Sequence, residues 1–317
     1  MKPNPGLYDY WPYENRPAIR WPHGAKVAFW VAPNIEFYEL DPPNNPQRKP
    51  WPSPHPSVPA YSIRDYGNRV GHERQMALLD KYGVRGSISL STAMCEHHPE
   101  IIEMCRERQW EFFSHGIYNT RYTYGLSEAQ EKSMIKDSIE TIHRHTGQFC
   151  AGYLAPALSH SEHTMDLFAE AGHELFGDQA AFYTCDLFHD DQPTPVHVRS
   201  GRKFISMPYS LEMNDTIVYA VNKVEPRQYL TMLKRHFDRL YAEGAQSGTV
   251  MCIPTHNYQV ACPHRMKAFE EALDYITGHP DVWVATGREI AEYYLAHYHD
   301  AAKAAIRSHP AQREVLA

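Results

Sequence analysis

Three polar residues each end an apolar run of the sequence, and their types suit acid–base catalysis. Glu36 ends "KVAFWVAPNIE", His115 ends "WEFFSH" and His256 ends "TVMCIPTH". A carboxylate and an imidazole beside one bond can take a proton from water and deliver a proton to a leaving group. A single histidine or glutamate in such a position is more often structural or solvated. The chemistry therefore depends on a fold that brings the three residues together.

The sequence predicts such a fold, because short apolar runs alternate with stretches whose apolar residues recur every three or four positions. Several of the runs are apolar on both faces, as in parallel strands covered by helices. Strands are predicted at 26–36, 85–91, 110–115, 150–156, 174–178, 204–210, 249–256 and 282–287. Helices are predicted at 67–81, 98–108, 127–145, 161–171, 226–243, 264–277 and 287–299.

This alternation predicts the α/β class and a distorted (β/α) barrel of seven to eight parallel strands, in a single domain over residues 1–317. An open doubly wound sheet is the alternative, but the sequence contains no GxGxxG or GxxxxGK phosphate loop. In a barrel of this kind, the active site lies at the carboxyl ends of the strands. The polar residues at or just beyond the predicted strand ends include Asn34, Glu36, His115, Asp178, Glu212, Asn214 and His256.

Composition excludes several other classes of function. The chain has 31 Lys and Arg against 38 Asp and Glu, a formal net charge of -7, and no long basic run, so a nucleic-acid partner is not expected. The N-terminal sequence has no apolar signal-peptide core and no segment approaches eighteen consecutive apolar residues, which predicts a cytoplasmic protein without a membrane partner. The six cysteines are scattered without a CxxC pair, so neither a disulfide framework nor a thiolate zinc site is indicated.

From about Lys26 to Tyr294, the order of these elements resembles the polysaccharide deacetylase (NodB-homology) superfamily, and especially its allantoinase-like branch. Family deacetylases end the first strand with an Asp-Asp pair, a general base followed by a metal ligand. Here "NIEFYE" places Glu36 at the base and Phe37 at the ligand. The family's HxxxH metal motif corresponds to "HGIYN", so His115 matches and Asn119 replaces the second histidine.

The later motifs of the family are also partly kept. The Arg-Pro-Pro run, whose arginine braces the base, corresponds to "GYLAPAL", with Leu154 in place of the arginine and Pro156 retained. Asp178 in "ELFGD" resembles the aspartate that orients the catalytic histidine, and "PTH" supplies that histidine as His256. The stretches "DDQPTPV" and "SMPYSLEMND" are more similar to the allantoinase-like branch than to the sugar deacetylases.

These replacements argue against an obligatory metal. A catalytic zinc needs three protein ligands and an open position, and only one member of the family's Asp-His-His set is intact. In the alternative, zinc or another divalent metal is bound by Glu36, His115 and Asn119, although an amide oxygen substitutes poorly for imidazole. The favoured hypothesis has no cofactor.

Without a metal, the carbonyl must be activated already, which favours a small cyclic amide, imide or hydantoin as substrate. Glu36 is predicted to take a proton from water, and His256, oriented by Asp178, to protonate the leaving nitrogen. Substrate-binding residues are predicted at Asn34, His115, Asn119, Arg69, Glu212 and Asn214. The alternatives are a metal-dependent deacetylase or deformylase of a small N-acyl compound, and a catalytically inactive barrel used as a binding module.

Two segments outside the predicted elements carry further expectations. The resemblance implies a homo-oligomer, a dimer or tetramer, and the tyrosine-rich N-terminal arm 1–25 has the aromatic anchors that interfaces favour. The loop 42–59 contains eight prolines, which indicates either a stiff surface loop or a lid over a small ligand.

Overall fold

The computed structural model describes residues 6–14, 16–43 and 56–308, and its centre is the strand β1 (Val27–Ile35), which is buried along its whole length. Within these residues the sheet has nine strands in the order β6-β7-β5-β4-β3-β2-β1-β8, and β9 also pairs with β1. The other strands are β2 (Ser87–Leu90), β3 (Glu111–Ser114), β4 (Gly152–Tyr153), β5 (Tyr183–Thr184), β6 (Thr194–Pro195), β7 (Ile205–Ser206), β8 (Thr249–His256) and β9 (Val282–Val284).

The pairing of β1 sets the frame of the site. Its residues 27–34 lie opposite residues 249–256 of β8, so Asn34 is level with His256. On its other edge, β1 pairs first with β9 and then with β2. Of the strand pairs in the described residues, only β6 with β7 is antiparallel. The sheet is thus a curled, mostly parallel sheet, which confirms the predicted distorted (β/α) barrel.

The seam between β8 and the β6 end of the sheet is crossed by a loop and by the N-terminal arm. The Val250 N–H donates to the carbonyl of Asp191 at 2.9 Å, and the Gly248 N–H donates to the carbonyl of Ile19 at 3.0 Å. Arg16 donates to both oxygens of Asp190, at 2.8 and 2.6 Å. Much of the arm therefore packs on its own chain.

The helices pack around this sheet, and sequence accounts for their ends. In α5 the side chains of Ser127 and Gln130 cap the first turn reciprocally, and Gly147 ends the helix at φ 73°. In the described residues the helices are α1 (Val58–Tyr66), α2 (His72–Lys81), α3 (Met94–His97), α4 (Pro99–Glu107), α5 (Glu128–Thr146), α6 (Thr164–Phe176), α7 (Pro226–Gly244), α8 (Pro263–Thr277), α9 (Gly287–His297) and α10 (His299–Ser308).

A wide helical turn at 67–71 joins α1 to α2 and presses this segment against the end of β8. A β-carbon at either Gly67 or Gly71 would collide with Asn257, the residue that follows β8. Glycine is required here for close approach. The predicted helix 67–81 therefore begins earlier, at 58, and its first half is held at the mouth of the barrel.

One predicted strand is wrong. Residues 174–178, "ELFGD", form the last turn of α6 and the following tight turn, and the strand of this unit is β5. The buried residues of α6, Met165, Leu167, Phe168 and Ala171, recur at helical spacing up to that point. An apolar run at the end of an amphipathic helix was thus mistaken for a strand.

Two further expectations from the sequence concern the Pro-rich loop and membrane-spanning helices. Residues 44–55 of the Pro-rich loop 42–59 lie outside the described residues, and Val58 and Pro59 belong to α1. No helix in the described part of the chain has the length and apolarity that crossing a bilayer requires.

Candidate active site

Glu36 follows β1 directly and is 3% exposed. Its Oε2 accepts a hydrogen bond from the Tyr258 hydroxyl at 2.8 Å. Its Oε1 lies 3.3 Å from Nε2 of His115 and 3.5 Å from Nε2 of His256. The ends of β1, β3 and β8 therefore bring the carboxylate and the two histidines together, as parallel pairing of these strands requires.

Asp215 orients His256. Its Oδ1 lies 2.6 Å from Nδ1 of the ring, so that ring nitrogen carries a proton and donates it to the carboxylate. The Oδ2 atom accepts the backbone N–H groups of His256 at 2.8 Å and of Val260 at 3.0 Å. Asp215 is fully buried, and this set of bonds directs Nε2 of His256 toward Glu36.

The charges of these groups shift their pKa values in opposite directions. Burial lowers the pKa of His256, but the negative charges of Asp215 and Glu36 and their hydrogen bonds outweigh it and raise the pKa to about 10. Burial raises the pKa of Glu36, but the charge of His256 and hydrogen bonds from His115 and His256 hold it well below its usual range. At neutral pH the site therefore holds a proton acceptor, Glu36, beside a proton donor, His256.

His115 is fixed by the backbone of the neighbouring strand. Its Nδ1 lies 2.9 Å from the carbonyl oxygen of Leu154, which can only accept, so Nδ1 carries the proton and Nε2 faces Glu36. Gly116 follows with φ 70°, and a β-carbon there would lie 2.7 Å from the ring of Pro156. Glycine permits both this conformation and this contact.

Asn119 and Phe37 are committed to contacts other than a metal. The amide nitrogen of Asn119 donates to the Tyr38 hydroxyl at 2.6 Å, and its oxygen accepts the Ala157 N–H at 2.9 Å. The ring of Phe37 stacks on His97 with ring centroids 4.0 Å apart. Across the residues described, no group of three or more His, Cys, Asp or Glu side chains is arranged to hold a metal ion. The donor set does not fit the family's metal.

A cavity of about 340 Å³ opens above these residues. Its polar lining includes Asn34, Glu36, His115, Asn119, Asn214 and His256, six of the residues singled out from the sequence. The amide nitrogen of Asn34 donates to the Tyr209 hydroxyl at 2.9 Å and to the Thr255 carbonyl at 3.1 Å. The amide oxygen of Asn214 accepts the N–H of Thr216. Both amides thus hold the cavity wall in place.

Three predicted residues lie outside the cavity. Asp178 is 90% exposed and pairs with Arg202 at 2.6 Å, because the segment that carries it is a helix end and not a strand end. Arg69 is 74% exposed and pairs with Asp65 four residues earlier on the helical face that points to solvent. Glu212 is exposed and does not line the cavity. The assignment of Asp178 as the residue that orients His256 is corrected to Asp215.

Sequence reasoning missed four residues that complete the site: Arg64, Asp215, Tyr258 and Tyr38. Tyr258 stands two positions after His256, and Asp215 stands next to Asn214, so both were adjacent to selected residues. The signal for Asp215 was the capping pair "ND" before an apolar helical run. Arg64 lies before the predicted helix 67–81 and had no such signal.

Comparison with known proteins finds polysaccharide deacetylases and an allantoinase. The family model described as polysaccharide deacetylase matches residues 57–176, which contain β2, β3 and His115. A curated relative from Schizosaccharomyces pombe, described as a putative polysaccharide deacetylase, is 25% identical over 299 residues, which are 87% of this chain and 92% of the relative. The chain thus resembles polysaccharide deacetylases over most of its length. Enzymes of this family are hydrolases of carbon–nitrogen bonds other than peptide bonds, and we class this chain with them.

Two solved structures resemble this chain closely in fold. PuuE allantoinase is 24% identical with a TM-score of 0.78, covering 90% of this chain and 95% of its own. A probable polysaccharide deacetylase from Pseudomonas aeruginosa PAO1 is 25% identical with the same TM-score, covering 90% and 96%. At 24% identity, the likeness to PuuE allantoinase concerns the fold alone.

Proposed function

We propose that the protein hydrolyses a carbon–nitrogen bond of a small cyclic amide, imide or hydantoin without an obligatory metal. The observation that carries the proposal is the array of Asp215, His256 and Glu36 at the floor of a cavity of about 340 Å³. The volume suits a small ring with its substituents.

The two charged groups divide the proton transfers. Glu36 takes a proton from a water molecule whose oxygen attacks the ring carbonyl carbon, forming the new carbon–oxygen bond. The carbon–nitrogen bond then breaks, and Nε2 of His256 gives its proton to the departing nitrogen. Asp215 keeps the ring of His256 in the tautomer and orientation that this step requires. Each such transfer contributes about 10²- to 10⁴-fold to the rate.

The remaining side chains position the water and the developing oxyanion. Nε2 of His115 faces Oε1 of Glu36 at 3.3 Å and holds the carboxylate in position beside the attacking water. Asn119 lines the cavity and keeps one amide hydrogen after its bond to Tyr38, a donor for the oxyanion. This amide donor is neutral, so it suits a carbonyl that its ring already activates.

A metal-dependent deacetylase or deformylase of a small N-acyl compound is the second candidate. The family match and the retained His115 favour it. The engaged amide of Asn119 and the stacked ring of Phe37 count against it, because they take up two of the three ligand positions. A catalytically inactive binding module is disfavoured, since the array of Glu36, His256 and Asp215 is complete.

The test is a substrate panel with metal control. Purified protein, dialysed against a chelator and checked by elemental analysis, is assayed on hydantoins, cyclic imides and lactams, and on N-acetyl and N-formyl compounds. We expect ring opening that chelation leaves unchanged. Acetate or formate release that requires added zinc, with no ring opening, would establish the second candidate instead.

A further inference from the structure

Arg64, on α1, lies at the cavity against the rings of Tyr38 and Tyr258, and among the described residues no carboxylate pairs with it directly. Its guanidinium carbon is 4.3 Å from the ring centroid of Tyr38 and 5.1 Å from that of Tyr258. All three side chains line the cavity together with Glu36 and His256. The wide turn at 67–71, wedged against Asn257, fixes α1 in this place.

The hydrogen bonds of Arg64 are incomplete. Its Nη1 donates to the Ala60 carbonyl at 3.2 Å, whereas its Nε is buried and has no hydrogen-bond partner among the described residues. No carboxylate of the described part of the chain lies within 4.0 Å of its guanidinium. Buried polar groups almost always have a partner. Among the described residues, the guanidinium of Arg64 at the cavity thus lacks a carboxylate partner, and a carboxylate that enters the cavity would supply one.

The neighbouring arginines show the contrast. Arg69, on the same helical segment, pairs with Asp65 at 2.6 Å, and Arg121 pairs with Glu39 at 2.7 Å. Arg64 alone of these three lines the cavity. A guanidinium is always charged, stacks on aromatic rings through its faces, and keeps its edge free for the two oxygens of a carboxylate.

We infer that Arg64 binds a carboxylate substituent of the substrate. This inference rests on the proposed function and narrows it: the substrate class is a cyclic amide that carries an acidic group, of which a hydantoin with a carboxymethyl substituent is the simplest representative. The acidic group lies against the edge of Arg64 between Tyr38 and Tyr258, and the ring lies deeper, with its scissile carbonyl at Glu36 and His256.

A second role for Arg64 must be separated from this one. Tyr258 donates to Glu36 and also lies under Arg64, so the cation is one side chain away from the catalytic carboxylate. A counter-charge to Glu36 would affect every substrate alike and would move the acidic limb of the pH profile. A specificity residue affects only acidic substrates and acts on KM.

The experiment compares Arg64→Met with Arg64→Lys and with the control Arg69→Met, whose side chain is exposed. Each is assayed on hydantoin-5-acetic acid and on its neutral primary amide, following ring opening. We expect Arg64→Met to raise KM for the acid about 10- to 100-fold more than it raises KM for the neutral amide, as loss of a charged hydrogen-bond partner does. Arg64→Lys should recover part of the loss, and Arg69→Met should match the parent.

Binding is measured separately by calorimetry of hydantoin-5-acetate on Glu36→Gln, with and without Arg64→Met. We expect Arg64→Met to weaken this binding by the same factor. An equal change for both substrates, or a shifted acidic limb with no change in the preference for the acid, would overturn the inference and leave the hydrolase proposal standing. If the parent opens neither of these rings nor any other ring of the panel, the proposed function fails. Calorimetry then decides on its own, and equal affinity with and without Arg64 refutes the carboxylate site.

Discussion

Replacing Asp215 by asparagine changes one atom at the floor of the cavity and tests the assignment of the catalytic acid. The Oδ2 atom of Asp215 holds the two backbone N–H groups of His256 and Val260, and the amide oxygen of asparagine can keep both bonds. The NH₂ group then takes the place of Oδ1 beside Nδ1 of His256. Because two donors cannot face each other, Nδ1 must lose its proton and the neutral ring carries its hydrogen on Nε2.

The expected loss of activity follows from the pKa of His256. Burial opposes the imidazolium, yet the charges and hydrogen bonds of Asp215 and Glu36 outweigh it and raise the pKa of His256 from 6.5 to about 10. Without Asp215, burial dominates and the ring is neutral at pH 7, so no acid is available for the leaving nitrogen. We expect kcat to fall about 10²- to 10⁴-fold.

The Asp215→Asn variant should lose folding stability as well as activity. Since the pKa of His256 is higher in the folded than in the unfolded protein, its contribution is complete below about pH 6.5 and is lost as the pH rises through about 10. Asp215→Asn removes this contribution, so the variant should be less stable than the parent at pH 6, with a smaller difference at pH 10.

The assay is the pH profile of kcat/KM on whichever cyclic amide the panel identifies, with urea unfolding at pH 6 and pH 10. In the parent, kcat/KM should fall only near pH 10. In Asp215→Asn this basic limb of the profile should move to lower pH. Asp178→Asn is the matched control, because that carboxylate is exposed and should leave the profile unchanged. Activity of Asp215→Asn within about threefold of the parent, with an unmoved basic limb, would remove His256 and Asp215 from the acid step.

Three further predictions concern the base, the metal and assembly. Glu36→Gln should keep the fold, because the amide oxygen can still accept from Tyr258, and should lower turnover by about 10² or more in a steady-state assay; turnover near that of the parent would exclude Glu36 as the base. Asn119→His should raise the affinity for zinc measured by calorimetry, since imidazole is the better ligand, and lower the native activity; a rise in native activity with zinc would support the deacetylase alternative. For assembly, we propose a homo-oligomer in which the exposed Tyr10 and Tyr13 of the arm take part, and sedimentation of a dilute sample as a fully active 36.6 kDa monomer would contradict it.

The sequence located those site residues whose position depends on local register alone. Glu36, His115 and His256 each stand at or directly beyond the end of a strand, and parallel pairing then brings the strand ends to one mouth. Periodicity was sufficient to find these strands. The caps of α5, at Ser127 and Gly147, were likewise readable from residue type and spacing.

The residues that sequence reasoning missed or misplaced depend on how a segment runs after its element ends. Asp215 reaches His256 from the start of a short helical segment forty-one residues earlier, and no periodicity encodes that contact. Arg64 enters the cavity only because a wide turn packs against Asn257, a tertiary contact. Asp178 was chosen because "ELFGD" is apolar, but the run belongs to a helix whose buried face continues to its end.

The central position of β1 has a consequence for biosynthesis. Residues 27–34 are synthesised well before their longest partner, residues 249–256, which emerges more than two hundred residues later. Until then the ribosome-bound chain carries a strand whose both faces are apolar and one of whose edges is unpaired, the kind of segment that aggregates or recruits chaperones. A chain that stops before β8 should accumulate in the insoluble fraction even though it contains Glu36, His115 and the whole region matched by the family model.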